Sequence, residues 1–147
     1  MVSIRNFTLQ DIAILQKQPT SDKPVEEVKT TIEKWNKKDY QGRYFEMFAI
    51  TEDQEIKGTV SLYQHTSSAV SIGLEIFLGY HRQGYGFQGE KLALEYAKKL
   101  GYKIAAGNVR VDNPASIALQ KKLGFEIYRE WISPNGQSMY FFIKSLE

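Results

Sequence analysis

The sequence contains no cysteine and only two histidines among its 147 residues. Without a thiol there is no disulfide framework, no thiolate nucleophile and no cysteine zinc site, and two scattered histidines are too few for a metal cluster. No metal is expected. Charge of one sign is also lacking: 19 Lys and Arg face 17 Asp and Glu, a net charge of +2. So balanced a chain has no general attraction to nucleic acid or to an anionic membrane, and any basic site must be local. The opening MVSIRNFTLQD is polar and alternating, unlike a signal peptide or a membrane span, so a cytoplasmic location is expected. No repeat or low-complexity segment interrupts the chain. What is present is 42% hydrophobic content, enough to bury one substantial core, and residues 1–147 are expected to form one domain.

Val2, Ile4 and Phe7 suggest a short first strand. Thr8 with Asp11 three residues on has the form of a capping box, predicting a helix over Ile12 to Gln16 that stops at Pro19. A second helix follows, with Ser21 or Asp22 as cap, Pro24 in its first turn, Glu26 and Glu27 at the positive dipole end, and Val25, Val28, Ile32 and Trp35 on one face. Lys37, Lys38 and Asp39 read as its solvated end. From Arg43 the apolar period becomes two: RYFEMFAIT, a polar EDQE turn and IKGTVSLYQ predict a hairpin, and after a turn at His65 to Ser68 a strand spans Ala69 to Leu78. A helix then runs to Leu100, with Leu92, Ala93, Tyr96 and Ala97 on one face and Gly101 at its C-cap. Lys103 to Val111 is a further strand, Asp112-Asn113-Pro114 caps a short helix closing at Leu123-Gly124, and Glu126 to Ile132 and Ser138 to Lys144 flank Pro134-Asn135-Gly136 as a last hairpin.

The chain is organised around Ile72 to Ala97, IGLEIFLGYHRQGYGFQGEKLALEYA, which reads as strand, glycine loop, helix. The first backbone N–H groups of a helix lack intrahelical partners and carry partial positive charge. With Gly84, Gly86 and Gly89 removing Cβ bulk, a phosphate can approach them closely. The loop also matches G-x-G-x-x-G, but a dinucleotide site of that type sits in a first strand-helix-strand unit with an acidic residue about twenty residues beyond it. Here position 104 is Ile and the preceding strands form hairpins.

The run GLEIFLGYHRQGYG before a helix, then a strand, then DNPASIALQKKLGF, resembles the GNAT acyltransferase superfamily. That superfamily's loop pattern is Q/R-x-x-G-x-G/A, and its later helix is introduced by Asn and ends in Leu-Gly-Phe. The likeness covers both motifs and the whole element order. It departs at two positions: His81, with Arg82 beside it, occupies the Q/R place, and Gln120 stands where many members carry a tyrosine that protonates the departing thiolate. The resemblance implies an α/β fold of α+β type, with a mixed, mostly antiparallel central sheet flanked by about four helices and splayed between the strands around the CoA loop.

It further implies acetyl-CoA as cosubstrate, with its pyrophosphate at the helix start. The residues placed at the cofactor are Ile76, Phe77 and Leu78 on the strand edge, Arg82, Gln83, Gly84, Tyr85, Gly86 and Phe87 in the loop, and Asn113 and Ser116 on the far side. Asn113 serves equally well as a helix cap, and Lys121 and Lys122 either meet CoA phosphates or complement their helix dipole. The reaction implied is direct attack by a primary amine of a small molecule or protein, in keeping with the absence of cysteine. Since a lysine-like amine has a pKa of about 10.4, a base is needed. Glu75 is the candidate because it interrupts an apolar strand, where burial would raise its pKa; Glu46 and a water-mediated route compete, and a Glu on a solvated strand face is the ordinary alternative. The backbone N–H of Ile76 or Phe77 would stabilise the oxyanion; the thiol leaves as thiolate or with a proton from water, and Tyr80 and Tyr128 are either substitutes for the missing tyrosine or packing residues. The first two helices and the final hairpin would line the acceptor pocket, with Glu26, Glu27 and Glu33 near it. A noncatalytic CoA-binding or sensing module is the competing class, and a homodimer is left open.

Overall fold

The computed structural model describes residues 1–18 and 23–147, so the expected helix stop at Pro19 and the caps at Ser21 or Asp22 lie outside the described residues. Strand β1 (Ser3–Asn6) leads into a single 3-10 turn, Leu9–Asp11, and then α1 (Ile12–Gln16). The capping box forms: the Thr8 hydroxyl accepts from the Gln10 amide, and Asp11 accepts from the Thr8 amide at 2.8 Å. Helix α2 (Val25–Asn36) follows, then β2 (Asp39–Tyr40), β3 (Arg43–Glu52), β4 (Glu55–Gln64) and β5 (Ala69–Ile76). Asp53 and Gln54 both adopt positive φ, the geometry of a two-residue hairpin loop that matches strand twist. Helix α3 (Tyr85–Lys99), β6 (Ile104–Arg110), α4 (Pro114–Lys122), β7 (Glu126–Ile132) and β8 (Ser138–Ser145) complete the order.

The strands form one sheet in the order β1-β3-β4-β5-β6-β8-β7, with β2 beside β3. All pairs are antiparallel except β5 with β6, joined by the crossover through α3. Side chains alternate between the two faces of the sheet. Phe48, Ile50, Val60, Leu62, Val70 and Phe142 meet Ala93 and Ala97 of α3 on one side. Ala49, Ile56 and Phe77 meet Phe7, Leu15, Val28 and Ile32 on the other, under α1 and α2. A Cβ at Gly89 would overlap the Ile50 side chain, so α3 lies against β3 at a separation only glycine allows.

One break in the sheet positions the site. Strand β5 pairs with β6 only through Ala69, Val70 and Ser71, opposite Ile104, Ala105 and Ala106. Beyond Ser71, β5 continues along β4 to Ile76 while β6 continues along β8 to Arg110, so the two strands part. Strand β5 also stops two residues before the expected Leu78. The Phe77 amide donates to the Lys57 carbonyl at 2.9 Å, closing the ladder, and Gly79 at φ 94° turns the chain away.

Two other expectations are corrected. Pro24 is the extended residue preceding α2, at φ −65° and ψ 156°, and not part of its first turn. The Lys37 to Asp39 run is more than a solvated end: Lys38 takes φ 56° and brings its Nζ to 3.3 Å from buried Glu46. Among the described residues no helix is long and apolar enough to cross a membrane.

Candidate functional site

Where β5 and β6 part, the edge of β5 meets the start of α3 and the start of α4 in a cleft of about 600 Å³. Its walls include Leu74 and Ile76 from β5, Tyr80 to Arg82 and Gly84 to Phe87 from the loop and helix, and Asn113, Ser116 and Leu119 from α4. Gly84 caps α3 in the left-handed region at φ 84°, and Arg82 shares that region at φ 64°. The loop thus bends sharply into the helix and leaves the amides of the first turn directed out of its end. At Gly86 a Cβ would lie 3.3 Å from Leu74 and 3.5 Å from Leu119, so the missing side chain keeps the cleft open between strand and α4.

Of the residues expected at a cofactor, Ile76, Arg82, Gly84, Tyr85, Gly86, Phe87, Asn113 and Ser116 come together on this cleft. Phe77, Leu78 and Gln83 are not among its walls. Phe77 is buried at 3% exposure in the layer under α1 and α2, and Leu78 stands in solvent at 73%. Gln83 turns its amide to the Gly79 carbonyl at 3.2 Å. Leu74 and Leu119 were not anticipated, although each was within reach: Leu74 shares the face of Ile76 at i, i+2, and Leu119 follows Ser116 at i, i+3. Asn113 caps α4, its Oδ1 accepting from the Ser116 amide at 3.2 Å. Lys122 stacks its Nζ 4.3 Å above the Phe87 ring.

The edge of β5 also differs from expectation. The Phe77 amide is engaged by Lys57, and backbone groups of successive strand residues point to opposite edges. The N–H and C=O of Ile76 therefore face the parted side, and there the His81 Nε2–H donates to the Ile76 carbonyl at 2.8 Å. His81 thus ties the loop to the strand. The open edge consists of Ile72, Leu74 and Ile76 in place of Ile76 to Leu78. Beneath the loop, Lys57 is 8% exposed and lies 4.2 Å from the Tyr80 ring and 5.5 Å from that of Tyr85. Glu55 accepts from Lys57 at 3.0 Å and from Tyr80 at 3.3 Å, while Glu52 accepts from the Tyr85 hydroxyl at 3.1 Å. These contacts brace the two tyrosines that wall the cleft.

Glu75 sits on β5 between the two cleft-lining residues Leu74 and Ile76, so its side chain emerges on the opposite sheet face. It is solvent-exposed, without the apolar enclosure expected of it. There it lines a smaller cleft of about 210 Å³ with Lys23, Thr31, Trp35, Met47, Thr59 and others. Those walls come from α1, α2 and strands β3 to β5; Glu26, Glu27 and Glu33 are exposed and are not among them, nor is any described residue of the final hairpin.

Glu46 belongs elsewhere. It is 2% exposed in the α3 layer. Burial works against its charged form, but donors from Tyr44, Asn6 and Lys38 outweigh burial and hold the carboxyl below the usual range. A carboxylate so occupied is a weaker proton acceptor, and it lies in the α3 layer, apart from the residues that line the Glu75 cleft. Gln120 is buried and donates to Glu90 Oε1 at 3.0 Å, linking α4 to α3 instead of facing the cleft. Burial pushes the Glu90 carboxyl up to about 7, against the smaller lowering effect of Gln120, and its Oε2 has no hydrogen-bond partner. Tyr80 lines the cleft, whereas Tyr128 is 67% exposed on β7 against Phe141.

The sequence profile of the family described as Acetyltransferase (GNAT) domain matches residues 3–126. The chain belongs to the GNAT acetyltransferase family. No curated protein sequence matches it significantly. Among solved structures it is similar to Mycobacterium smegmatis RimJ in complex with CoA-disulfide, at 16% identity over 98% of this chain and 81% of that one, with a TM-score of 0.84. The spermidine/spermine N-acetyltransferase SpeG of Vibrio cholerae gives 0.80 at 17% identity, covering 99% and 92% of the two chains. The putative acetyltransferase yncA of Salmonella typhimurium, solved with acetyl-CoA, gives 0.74 at 16% identity over 100% and 95%. At such identities the likeness is one of fold: a mixed sheet with four α-helices, as in GNAT proteins.

Proposed function

We propose that this GNAT protein moves an acetyl group from acetyl-CoA to a primary amine by direct attack. The observation that carries the reading is the parting of β5 from β6 beside the start of α3, which has no side-chain cap. An open strand edge supplies amides and carbonyls for an extended amide-bearing arm, and a glycine-lined helix end supplies N–H groups and partial positive charge for a pyrophosphate. The chain's own groups fit such a cosubstrate: Arg82 adds a cation, and Gly86 leaves room that a Cβ would fill.

The amine nitrogen forms a bond to the thioester carbonyl carbon, and the C–S bond breaks with its electron pair going to sulfur, which leaves as the CoA thiolate. In this scheme Glu75 takes the amine proton, from the side of the sheet opposite the cofactor cleft, and the Ile76 N–H, directed to the parted edge, meets the developing oxyanion. Gln120 stands in the tyrosine's place, and Tyr80, though it lines the cleft, gives its hydroxyl to Glu55. The thiolate, whose thiol has a pKa near that of cysteine, about 8.5, therefore leaves as such or takes a proton from water. Gln120 turned inward onto Glu90 also favours the second reading, a CoA-binding module without turnover.

Binding is tested by melting temperature. Acetyl-CoA should raise it, because a ligand of the native state alone stabilises that state by mass action, and NAD should not. A shift with NAD and none with acetyl-CoA would remove the proposal.

A further inference from the structure

Beyond the Glu75 cleft lies a second hollow on the same side of the sheet, of about 390 Å³, walled by Thr31, Lys34, Trp35, Tyr40, Phe45 and Tyr63. Thr31 and Trp35 belong to both, so one wall is continuous from Glu75 to the aromatic hollow. Phe45 and Tyr63 are cross-strand partners in β3 and β4, and Tyr40 of β2 closes on them, with ring centroids 6.4 Å from Phe45 and 5.9 Å from Tyr63. Tyr40 nevertheless remains 54% exposed. Four rings are thus gathered around the hollow, with Trp35, Phe45 and Tyr63 half-buried, His65 packed edge-on against Tyr63 and Phe7 against Trp35.

Spacing and charge say what would fill this hollow. Thr59 pairs with Glu75, and Tyr63 lies four residues further along β4 on the same face, about 13 Å at the rise of a strand. The charged side chains lining the two hollows are Glu75, Lys23 and Lys34. A single ammonium group can meet Glu75, whose carboxylate offsets Lys23 in the same cleft, whereas a second one at the aromatic end would meet Lys34 with no described acidic side chain lining that hollow. Aromatic rings alone can attract a cation, yet here Tyr63 and Tyr40 pack edge-on at 76° and a lysine already stands at the rim. The combined space suits a small organic molecule.

We infer that the acceptor is a small monoamine whose carbon body ends in an aromatic or similarly bulky apolar group. Its amine stands at Glu75 and its ring lies among Tyr40, Phe45, Tyr63 and Trp35; a polyamine is disfavoured. The inference rests on the amine-acetylation reading, and its test separates the two.

Binding is measured directly, by titration calorimetry on the full chain with saturating CoA, using 4-phenylbutylamine, ethylamine, spermidine and the peptide Gly-Gly-Phe-amide. Phenylbutylamine should bind at least roughly tenfold more tightly than ethylamine or spermidine, as expected for burying a ring. Tyr40→Ala and, independently, Phe45→Ala should each lose most of that margin, and Lys34→Glu should shift preference toward spermidine. Spermidine binding as tightly as phenylbutylamine, a margin untouched by both aromatic variants, binding confined to the peptide, or no binding of phenylbutylamine would each overturn the inference. Failure of the acetylation reading shows separately, as acetyl-CoA that neither binds nor releases CoA with any of these amines.

Discussion

At the scale of single residues, the exposed carboxylate of Glu75 and the buried one of Glu90 have opposite prospects. Glu75 is exposed on the sheet face that α1 and α2 cover, and if it takes the amine proton, Glu75→Gln keeps the shape and removes the acceptor of the proton. The turnover number should fall roughly 10²-fold with CoA affinity nearly intact, and the pH-rate profile should lose the limb belonging to a carboxylate. Unchanged turnover would hand the proton to water, since Glu46 is already saturated with donors. Glu90 is different: its carboxyl is pushed up to about 7 by burial. Between its unfolded value and about 7 the native state holds a proton that the unfolded state has released, so stability falls as pH rises through that window and the full cost is present above it. Glu90→Gln should therefore stabilise the protein at pH 8, by about 3 kcal/mol at most, and the gain should vanish as pH drops below the ordinary carboxylate range. Denaturant melts at the two pH values check this, and an equal effect at both would show that burial of charge is not the cause. Neither the inward turn of Gln120 nor the Lys38 ion pair with Glu46 was visible in the sequence, because each joins segments whose proximity only the folded sheet creates.

At the scale of elements, local chemistry was more informative. The Thr8 and Asp11 box, the hairpin at Asp53 and Gln54, the strand from Glu126 to Ile132 and the Asn113 cap were all legible, because each depends on a few neighbouring residues with specific backbone preferences. The end of β5 was misjudged because Phe77 and Leu78 continue an apolar run. What stops the strand is the turn after the last ladder bond, from Phe77 to Lys57: the Tyr80 amide donates to the Phe77 carbonyl and Gly79 takes positive φ. The same shift moved the open edge back to Ile72, Leu74 and Ile76, and dropped Phe77 and Leu78 from the cleft. Strand β2 went unseen because two residues carry no periodicity. The start of α3 is where element and function meet. In Gly86→Val, the added carbons would press on Leu74 and Leu119 and cover the amides of the first turn. CoA affinity should drop at least roughly tenfold, while the far-ultraviolet spectrum and most of the stability remain, since the cleft and not the core is filled. A folded variant with wild-type affinity would place the pyrophosphate elsewhere.

At the scale of the molecule, the sheet divides the work. The layer of α3 and α4 walls one cleft and the layer of α1 and α2 walls the other, and β5 presents Leu74 and Ile76 to the first and Glu75 to the second. Beyond Ser71 the parting of β5 from β6 leaves β5 as a strand with a cleft on each face. Direct transfer as proposed above would need no covalent intermediate, in keeping with a chain that has no cysteine: proximity across one strand would take over from it. The measurement that tests this account most directly is the release of free CoA thiol from acetyl-CoA, followed with the protein and a panel of primary amines. The account predicts thiol release that requires both protein and amine and yields the N-acetylated amine in equal amount. Acetyl-CoA bound tightly but left intact across the panel would contradict it, and would make the chain a CoA-binding module with an acetyltransferase fold.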